Sequence, residues 1–311
     1  SLPLLILEPA RNFSMASLEV LRGETGPELV PGTLRKTARQ MRKNRLGVLG
    51  AVLVAIVFAS AIFAPLIITH DPIRIMVGPR LANPSRVFLL GTDQLGRDTF
   101  SRVMMGGRIP LLVAFASLGS SLVAGLVLGL VAGFGPRWLD NLLLLLFDTI
   151  RSFPGIIFAL AIIGLLGPSL ASVIFVIAIT SMPIYARVVR TQTEALRNSE
   201  YIAAERTLGA GTTRILAVHV LPNVIGPLLI LVSMDVPAVI AVEAGLSFLG
   251  LGVRPPTPDW GAILNDGYNY IQQTPWLVVG GGIPIVLATL GFTFLGEALR
   301  DMFDPKLRKD L

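Results

Sequence analysis

No charged residue occurs between Leu46 and Thr69, a run of 24, or between Ile109 and Pro136, a run of 28. About 20 mostly apolar residues carry a helix across the hydrocarbon core of a bilayer, so these runs are read as the first two membrane spans. A third, Leu139–Leu166, carries Asp148 and Arg151 within it. Gly167, Pro168 and Ser169 make a turn, and Leu170–Val189 is the fourth. Val224–Leu249, carrying Asp235 and Glu243, is the fifth, and Pro275–Leu295 the sixth. Only 15% of the chain is charged and 53% is apolar, where a soluble domain carries roughly 25% charge. The expectation is an all-α polytopic membrane protein with six transmembrane helices.

Orientation follows from the basic residues. Six Lys and Arg and no acid lie between Arg35 and Arg45, just before the first span, and basic flanks stay in the cytoplasm. Six spans return the C-terminus to the same side. The chain then divides into a cytoplasmic segment 1–45, a first span 46–69, an extracytoplasmic loop 70–108, a core 109–300 and a cytoplasmic tail 301–311. Residues 35–45 suit a helix along the anionic inner leaflet, a contact with membrane lipid. The apolar opening Ser1–Glu8 lacks a basic region before it and is too short for a signal peptide. The net charge of +6 reports basic cytoplasmic segments, not nucleic-acid binding.

Several chemistries are excluded. The chain has no Cys, hence no disulfide or thiolate chemistry. His70 and His219 are too few and too far apart for a metal motif. No phosphate-binding Gly-x-x-x-x-Gly-Lys-Ser/Thr occurs, and the four Lys, at 36, 43, 306 and 309, lie in no Gly-rich loop. The chain has no means of holding ATP in a P-loop.

Between the fourth and fifth spans stands a polar stretch, YIAAERTLGAGTTRILAVHVLPN, from Tyr201 to Asn223. Glu200–Leu208 contains good helix formers, with Asn198 or Ser199 to cap its start. Gly209 and Gly211 allow a turn with positive φ. Thr212 can cap a second helix, which Pro222 ends. The reading is a cytoplasmic helix–turn–helix, 199–222. Ala203 and Ala204 allow another surface to approach closely, and Arg206 and Arg214 can reach acids on it. A plain amphipathic connector is the alternative.

The stretch resembles the EAA signature of ABC-importer membrane subunits. Aligned on Gly209, the Glu-Ala-Ala triplet falls on Ala203, Ala204 and Glu205, and Ala204 alone matches. His219 stands at the signature's Ile, while Leu221 and Pro222 fit. The peptide-importer branch is closer: Tyr201, Ala204, Gly209, Ala210, His219, Leu221, Pro222 and Asn223 all fit its form. Three more stretches resemble C-type subunits of dipeptide and oligopeptide permeases, in the same order: LGTDQLGRDTFSRVMMGGR (Leu90–Arg108), EAGLSFLGLGVRPPTPDWGAILNDG (Glu243–Gly267) and LGEALRDMFDPKLR (Leu295–Arg308). The resemblance spans roughly residues 35–309. It implies a type I ABC importer permease fold, a heterodimer with a B-type permease, two ATPase subunits that hold ATP and Mg, and an extracytoplasmic solute-binding protein. The ATPase-coupling residues would be Glu200, Tyr201, Ala203, Ala204, Glu205, Arg206, Gly209, Ala210, Arg214, His219, Leu221 and Pro222.

Other charges have two readings each. In the outer loop, Asp93, Arg97, Asp98 and Arg102 either dock the binding protein or satisfy one another. Asp148 and Arg151 share a helix face and either pair or, through Arg151, meet an anionic group; pairing is favoured. Asp235 and Glu243, eight apart, either line a translocation path or bond helices together. Pro255, Pro256 and Pro258 stiffen an outer segment, and Trp260 and Trp276 are placed to sit at the membrane interface. Two rival functions use the intramembrane carboxylates: a stand-alone ion-coupled transporter, and a membrane-embedded enzyme with an acid and a base.

Overall fold

A computed structural model describes residues 44–303. The leader, most of the basic stretch 35–45 and residues 304–311 of the tail lie outside the described residues. Twelve helices can be named in order: α1 Arg45–Ile62, α2 Ala64–Ile67, α3 Thr99–Gly106, α4 Arg108–Phe134, α5 Arg137–Arg151, α6 Gly155–Leu166, α7 Leu170–Arg197, α8 Glu200–Thr207, α9 Thr212–Ile215, α10 Leu221–Phe248, α11 Trp260–Asn269 and α12 Trp276–Phe303. Among the described residues there is no strand beyond an isolated bridge between Thr92 and Asp98. The reason is physical. In hydrocarbon a backbone amide has no water to bond, and a helix satisfies each one within the segment.

Five continuous helical stretches are long and apolar enough to cross a membrane, and the bent pair α5 and α6 makes a sixth crossing if it is one span. The third run of the sequence is therefore not a straight helix. It breaks by 91° between Arg151 and Gly155. Pro154 has no N–H to continue the α5 ladder, and its ring disfavours helical geometry in the residue before it. Ser152 closes α5 instead, its Oγ donating to the Asp148 carbonyl at 2.7 Å. Elsewhere caps sit where hydroxyl or amide side chains precede apolar runs. Asn44 Oδ1 accepts from the Gly47 N–H at 3.1 Å, and Ser169 Oγ from the Ser172 N–H at 3.1 Å.

The bundle is organised by pairs. α4 packs along α7, α1 along α12, and α10 joins both pairs by touching α4 and α12; α11 lies against α10 and α12. Small residues set the closest approach. On α4, Gly125, Gly129 and Gly133 form one stripe facing Tyr185, Ala186, Val189, Arg190 and Thr193 of α7. A methyl at Gly129 would stand 2.5 Å from the Ala186 carbonyl oxygen, and one at Gly133 2.7 Å from that of Arg190. Helices in lipid associate through such contact, because lipid is as apolar as the side chains and gives no hydrophobic drive. Ser121 adds an interhelical hydrogen bond, donating to the Ala178 carbonyl at 2.9 Å. Outside this core, large apolar side chains such as Val52, Ile56, Leu112 and Val123 are exposed, as expected of surfaces met by lipid or a partner.

The α4–α7 stripe yields a paired test. Gly129→Ala should destabilise the protein by about 1–3 kcal/mol through overpacking, because its methyl meets backbone that has no rotamer to change. Gly119→Ala, whose methyl meets nothing within 4 Å, should leave stability unchanged or slightly raised. Thermal unfolding of the two variants in detergent checks this, and equal melting would contradict it.

Candidate functional site

The polar stretch between spans folds back on itself as expected, with differences in detail. Ser199 begins α8, but its Oγ donates backwards to the Leu196 carbonyl at 2.6 Å and caps nothing. Gly209 has φ +88, and a Cβ there would meet empty space. The backbone conformation, not crowding, therefore demands glycine. Gly211, with φ −71, is an ordinary extended residue that precedes α9. The turn closes with the Ala210 N–H donating to the Glu205 carbonyl at 3.0 Å and the Gly209 N–H to that of Arg206 at 3.0 Å.

The second arm differs from expectation. It starts at Thr212 with Gly211, not Thr212, in the capping position, and it does not stop at Pro222. A π-helical turn, Leu216–Val220, carries α9 directly into α10, with Pro222 in the first turn of α10. A proline ring clashes with the carbonyl four residues back in a regular helix, here that of Val218; the wider π turn lies at that point. The hairpin's second arm is thus the N-terminal end of the fifth span itself. Asn223 locks the junction, its Nδ2 donating to the His219 carbonyl at 2.6 Å.

Two buried residues, Ile202 and Ile215, root the hairpin in the main apolar core. Around them Tyr201, Ala203, Ala204, Arg206 and Arg214 are exposed, while Glu205, Ala210, His219 and Leu221 are half-buried. His219 Nε2 stands 3.5 Å from Glu205 Oε1 across the two arms, and the Tyr201 and His219 rings meet edge to face, 6.0 Å apart. Arg206 lies over the Phe134 ring, 5.0 Å from its centre, and Arg197 Nη1 donates to the Gly135 carbonyl at 3.2 Å. The first ties the hairpin, and the second the end of α7 just before it, to the end of α4. Leu208, beside the turn, is 85% exposed. Sequence reading missed it, although an apolar residue next to a positive-φ glycine was its only signal.

The outer-loop charges are not displayed. Asp93, Arg97, Asp98 and Arg102 are all at most 5% exposed. Asp93 accepts from the Leu95 and Arg97 N–H groups, each at 2.9 Å, and from Arg97 Nε at 2.5 Å. Arg102 Nε lies 3.4 Å from the same carboxylate, and its Nη1 donates to the Pro72 carbonyl at 3.2 Å. Asp98 caps α3, accepting from the Ser101 N–H at 3.1 Å and from Thr69 Oγ1 at 2.7 Å. Of the two readings, the side chains adopt the self-satisfied one. Charges buried in this way hold the loop from inside. Trp260 is similarly turned in: it is buried, with Nε1 donating to the Val103 carbonyl at 2.9 Å.

The intramembrane charges also rearrange. Asp148 does not pair with Arg151. It pairs with Arg187 of α7, and two turns away Asp140 holds Arg190, Oδ1 to Nε 2.9 Å. These two ion pairs join α5 to α7 in antiparallel register, and a partner on the facing helix outcompetes one at the frayed end of the same helix. Asp235 accepts from the Tyr185 hydroxyl at 2.7 Å. Glu243 does not share its surroundings. It is buried near the C-terminal end of α10, accepting from Ser247 Oγ at 3.0 Å and meeting Asp259, the cap of α11. Burial raises the Asp259 carboxyl above the ordinary carboxylate range. Sequence reading named neither Arg187, Tyr185 nor Asp259, because each acts through a partner far away in the chain.

The comparisons with known proteins agree with this architecture. A family model described as binding-protein-dependent transport system inner membrane component matches residues 125–309. The chain belongs to this family of ABC-importer permeases. A second model, the N-terminal transmembrane domain of oligopeptide transport permease C, matches residues 33–84, in accord with the C-type reading. The chain is 39% identical over 274 residues to the dipeptide transport system permease protein of Alkalihalophilus pseudofirmus, covering 88% of this chain and 90% of that one. It is 38% identical over 289 residues to the di/tripeptide transport system permease protein of Pseudomonas aeruginosa, covering 91% and 95%. It is 35% identical over 299 residues to the glutathione transport system permease protein of Pectobacterium atrosepticum, covering 96% and 98%. In fold it is similar to a chain of the inward-facing MetNI methionine ABC transporter, with TM-score 0.53 and 20% identity over 65% of this chain and 97% of that one. The permease is a multi-pass inner-membrane protein.

The buried loop network predicts a stability effect. Asp93→Ala leaves Arg97 and Arg102 buried without their carboxylate, a change that costs about 3–5 kcal/mol. The permease should melt earlier and its outer loop should become sensitive to protease added outside. Unchanged melting with loss of solute uptake alone would return the docking role to these side chains.

Proposed function

We propose that this permease is the C-type membrane subunit of an ATP-driven importer of peptides or a related small solute, in which the hairpin 199–222 couples the path to separate ATPase subunits. A B-type permease completes the path, a solute-binding protein delivers cargo outside, and both termini lie in the cytoplasm. ATP and Mg belong to the ATPase subunits, since the chain has no phosphate-binding loop. The names of its relatives support a peptide-like cargo.

One observation carries the coupling assignment. The hairpin is rooted by Ile202 and Ile215, yet presents Ala203, Ala204 and Leu208 outward. Small side chains beside an exposed leucine allow a second protein to close over α8 with core-like contact. Its second arm is continuous with α10 through the π turn, so force applied to the hairpin passes directly into the span that holds Asp235. Transport is then a two-state equilibrium between inward- and outward-open forms, biased by nucleotide and by loaded binding protein. The rival carboxylate chemistries find no support. Asp148, Asp235 and Glu243 are separately partnered by Arg187, Tyr185 and Ser247, and the adjacent Glu243 and Asp259 are too buried to admit a substrate.

Enlarging Ala204 tests the grip. Ala204→Phe should overfill the contact by about 1–3 kcal/mol, about a ten- to hundredfold loss of ATPase-subunit affinity. Val87→Phe on the outer loop, also exposed, should have no such effect. Co-purification of the ATPase subunits with each variant decides; equal retention would remove the docking site from α8. Topology has its own test in this Cys-free chain. Leu208→Cys should react with an impermeant thiol reagent only from the cytoplasmic side, and Val87→Cys only from outside, and the opposite pattern would invert the assignment.

A further inference from the structure

Three arginines gather where α4 ends and the hairpin begins. Two of them share one aromatic ring: the guanidinium carbon of Arg206 lies 5.0 Å from the centre of the Phe134 ring, and that of Arg197 5.8 Å. Arg197 reaches the ring from the end of α7 and Arg206 from α8. The third, Arg137, opens α5 two residues beyond the Gly135 carbonyl that Arg197 Nη1 holds. Among the described residues none of the three has an acid within ion-pair distance. Asp140 and Glu194 are committed to Arg190, Glu205 stands beside His219, and Glu200 pairs with none of them.

Folding has therefore brought like charges together and left them uncancelled. An aromatic face attracts a guanidinium, but it has no net charge with which to neutralise two. Of the side-chain donors of Arg197, Nη1 alone has partners among the described residues, the carbonyls at the end of α4. Arg137 and Arg206 are exposed and Arg197 is half-buried. Unused N–H donors on three cations at one place suit an anion with several oxygens.

The height of the cluster selects that anion. Arg137 is the first charge after the uncharged run Ile109–Pro136, a length that crosses a bilayer. Trp138 beside it is 67% exposed, and an exposed tryptophan at the end of a membrane helix marks the interface with water. Leu142 and Leu145, four and seven residues on, are exposed as well and continue that face towards the hydrocarbon. The arginines thus stand at the level of phospholipid headgroups, where an anionic leaflet supplies phosphate groups.

We propose that Arg137, Arg197 and Arg206 bind the headgroup of an anionic phospholipid in the leaflet on the hairpin's side. One phosphate group then joins α5, α7 and α8, and the root of the hairpin is tied to the membrane surface as well as to Phe134. The site is separate from the outward face of Ala203, Ala204 and Leu208 and makes no use of cargo.

The test uses the importer complex purified in detergent and titrated with phosphatidylglycerol or with phosphatidylcholine, which has the phosphate but no net charge. Bound lipid is counted by native mass spectrometry. A basic residue near an anionic lipid contributes about a fivefold change in binding. Arg206→Gln should therefore lower the preference for phosphatidylglycerol about fivefold, and Arg137→Gln with Arg206→Gln should lower it further. Arg137→Lys with Arg206→Lys keeps the charge and should retain most of the preference, which separates lipid binding from packing on Phe134. Arg80→Gln with Arg86→Gln, exposed arginines of the outer loop, should leave it unchanged. An undiminished preference in the double Gln variant, equal loss in the outer-loop variant, or equal loss in the Lys and Gln variants would overturn the proposal. Two further results would overturn it by naming another occupant. Complete displacement of phosphatidylglycerol by inorganic phosphate would assign the site to a free anion. Loss of the ATPase subunits from the double Gln variant with its lipid preference kept would assign it to an acidic protein surface.

Discussion

Hydrocarbon offers no partner to a peptide group, and this permease is arranged around that fact. Each crossing is helical because helices satisfy their own backbone. Pairing of the crossings cannot then depend on hiding apolar surface from water, since lipid is no more hostile to leucine than protein is. It depends on contact, which explains why α4 and α7 meet through Gly125, Gly129 and Gly133 with the backbone of α7 where side chains would otherwise stand. The remaining helices attach to this pair directly or through α10.

The same constraint governs the charges. Asp140 and Asp148 have partners on α7, Asp235 is held by Tyr185 of α7, and Glu243 accepts from Ser247 of its own helix at the α10–α11 junction. Outside the spans the permease follows the same practice, burying Asp93 with two arginines to shape a loop. Against that background exposure carries information. Leu208 and the alanines of α8 are apolar and uncovered beside the hairpin's turn, and Arg151 is charged and exposed at the break of the third crossing.

The hairpin is joined to the bundle by a continuous helical path. The π turn at Leu216–Val220 makes the hairpin's second arm and α10 one helix. A rigid helix transmits displacement along its axis, and Asp235 lies about halfway along α10.

By itself the sequence determined the class and most of the map. Uncharged runs longer than a bilayer is thick mean helical crossings wherever they occur, and Gly209 announced its turn because positive φ excludes nearly every other residue. Those signals are local, so one chain of letters contains them. Only the tertiary structure decided the rest. Whether Asp148 met Arg151 or Arg187, whether the loop charges faced out or in, whether Trp260 was buried, and whether Pro222 ended a helix or opened one all depended on neighbours distant in sequence. Ion pairs, burial and close helix packing are set by which surfaces meet, and no residue's spacing along the chain encodes the competing partner on another helix.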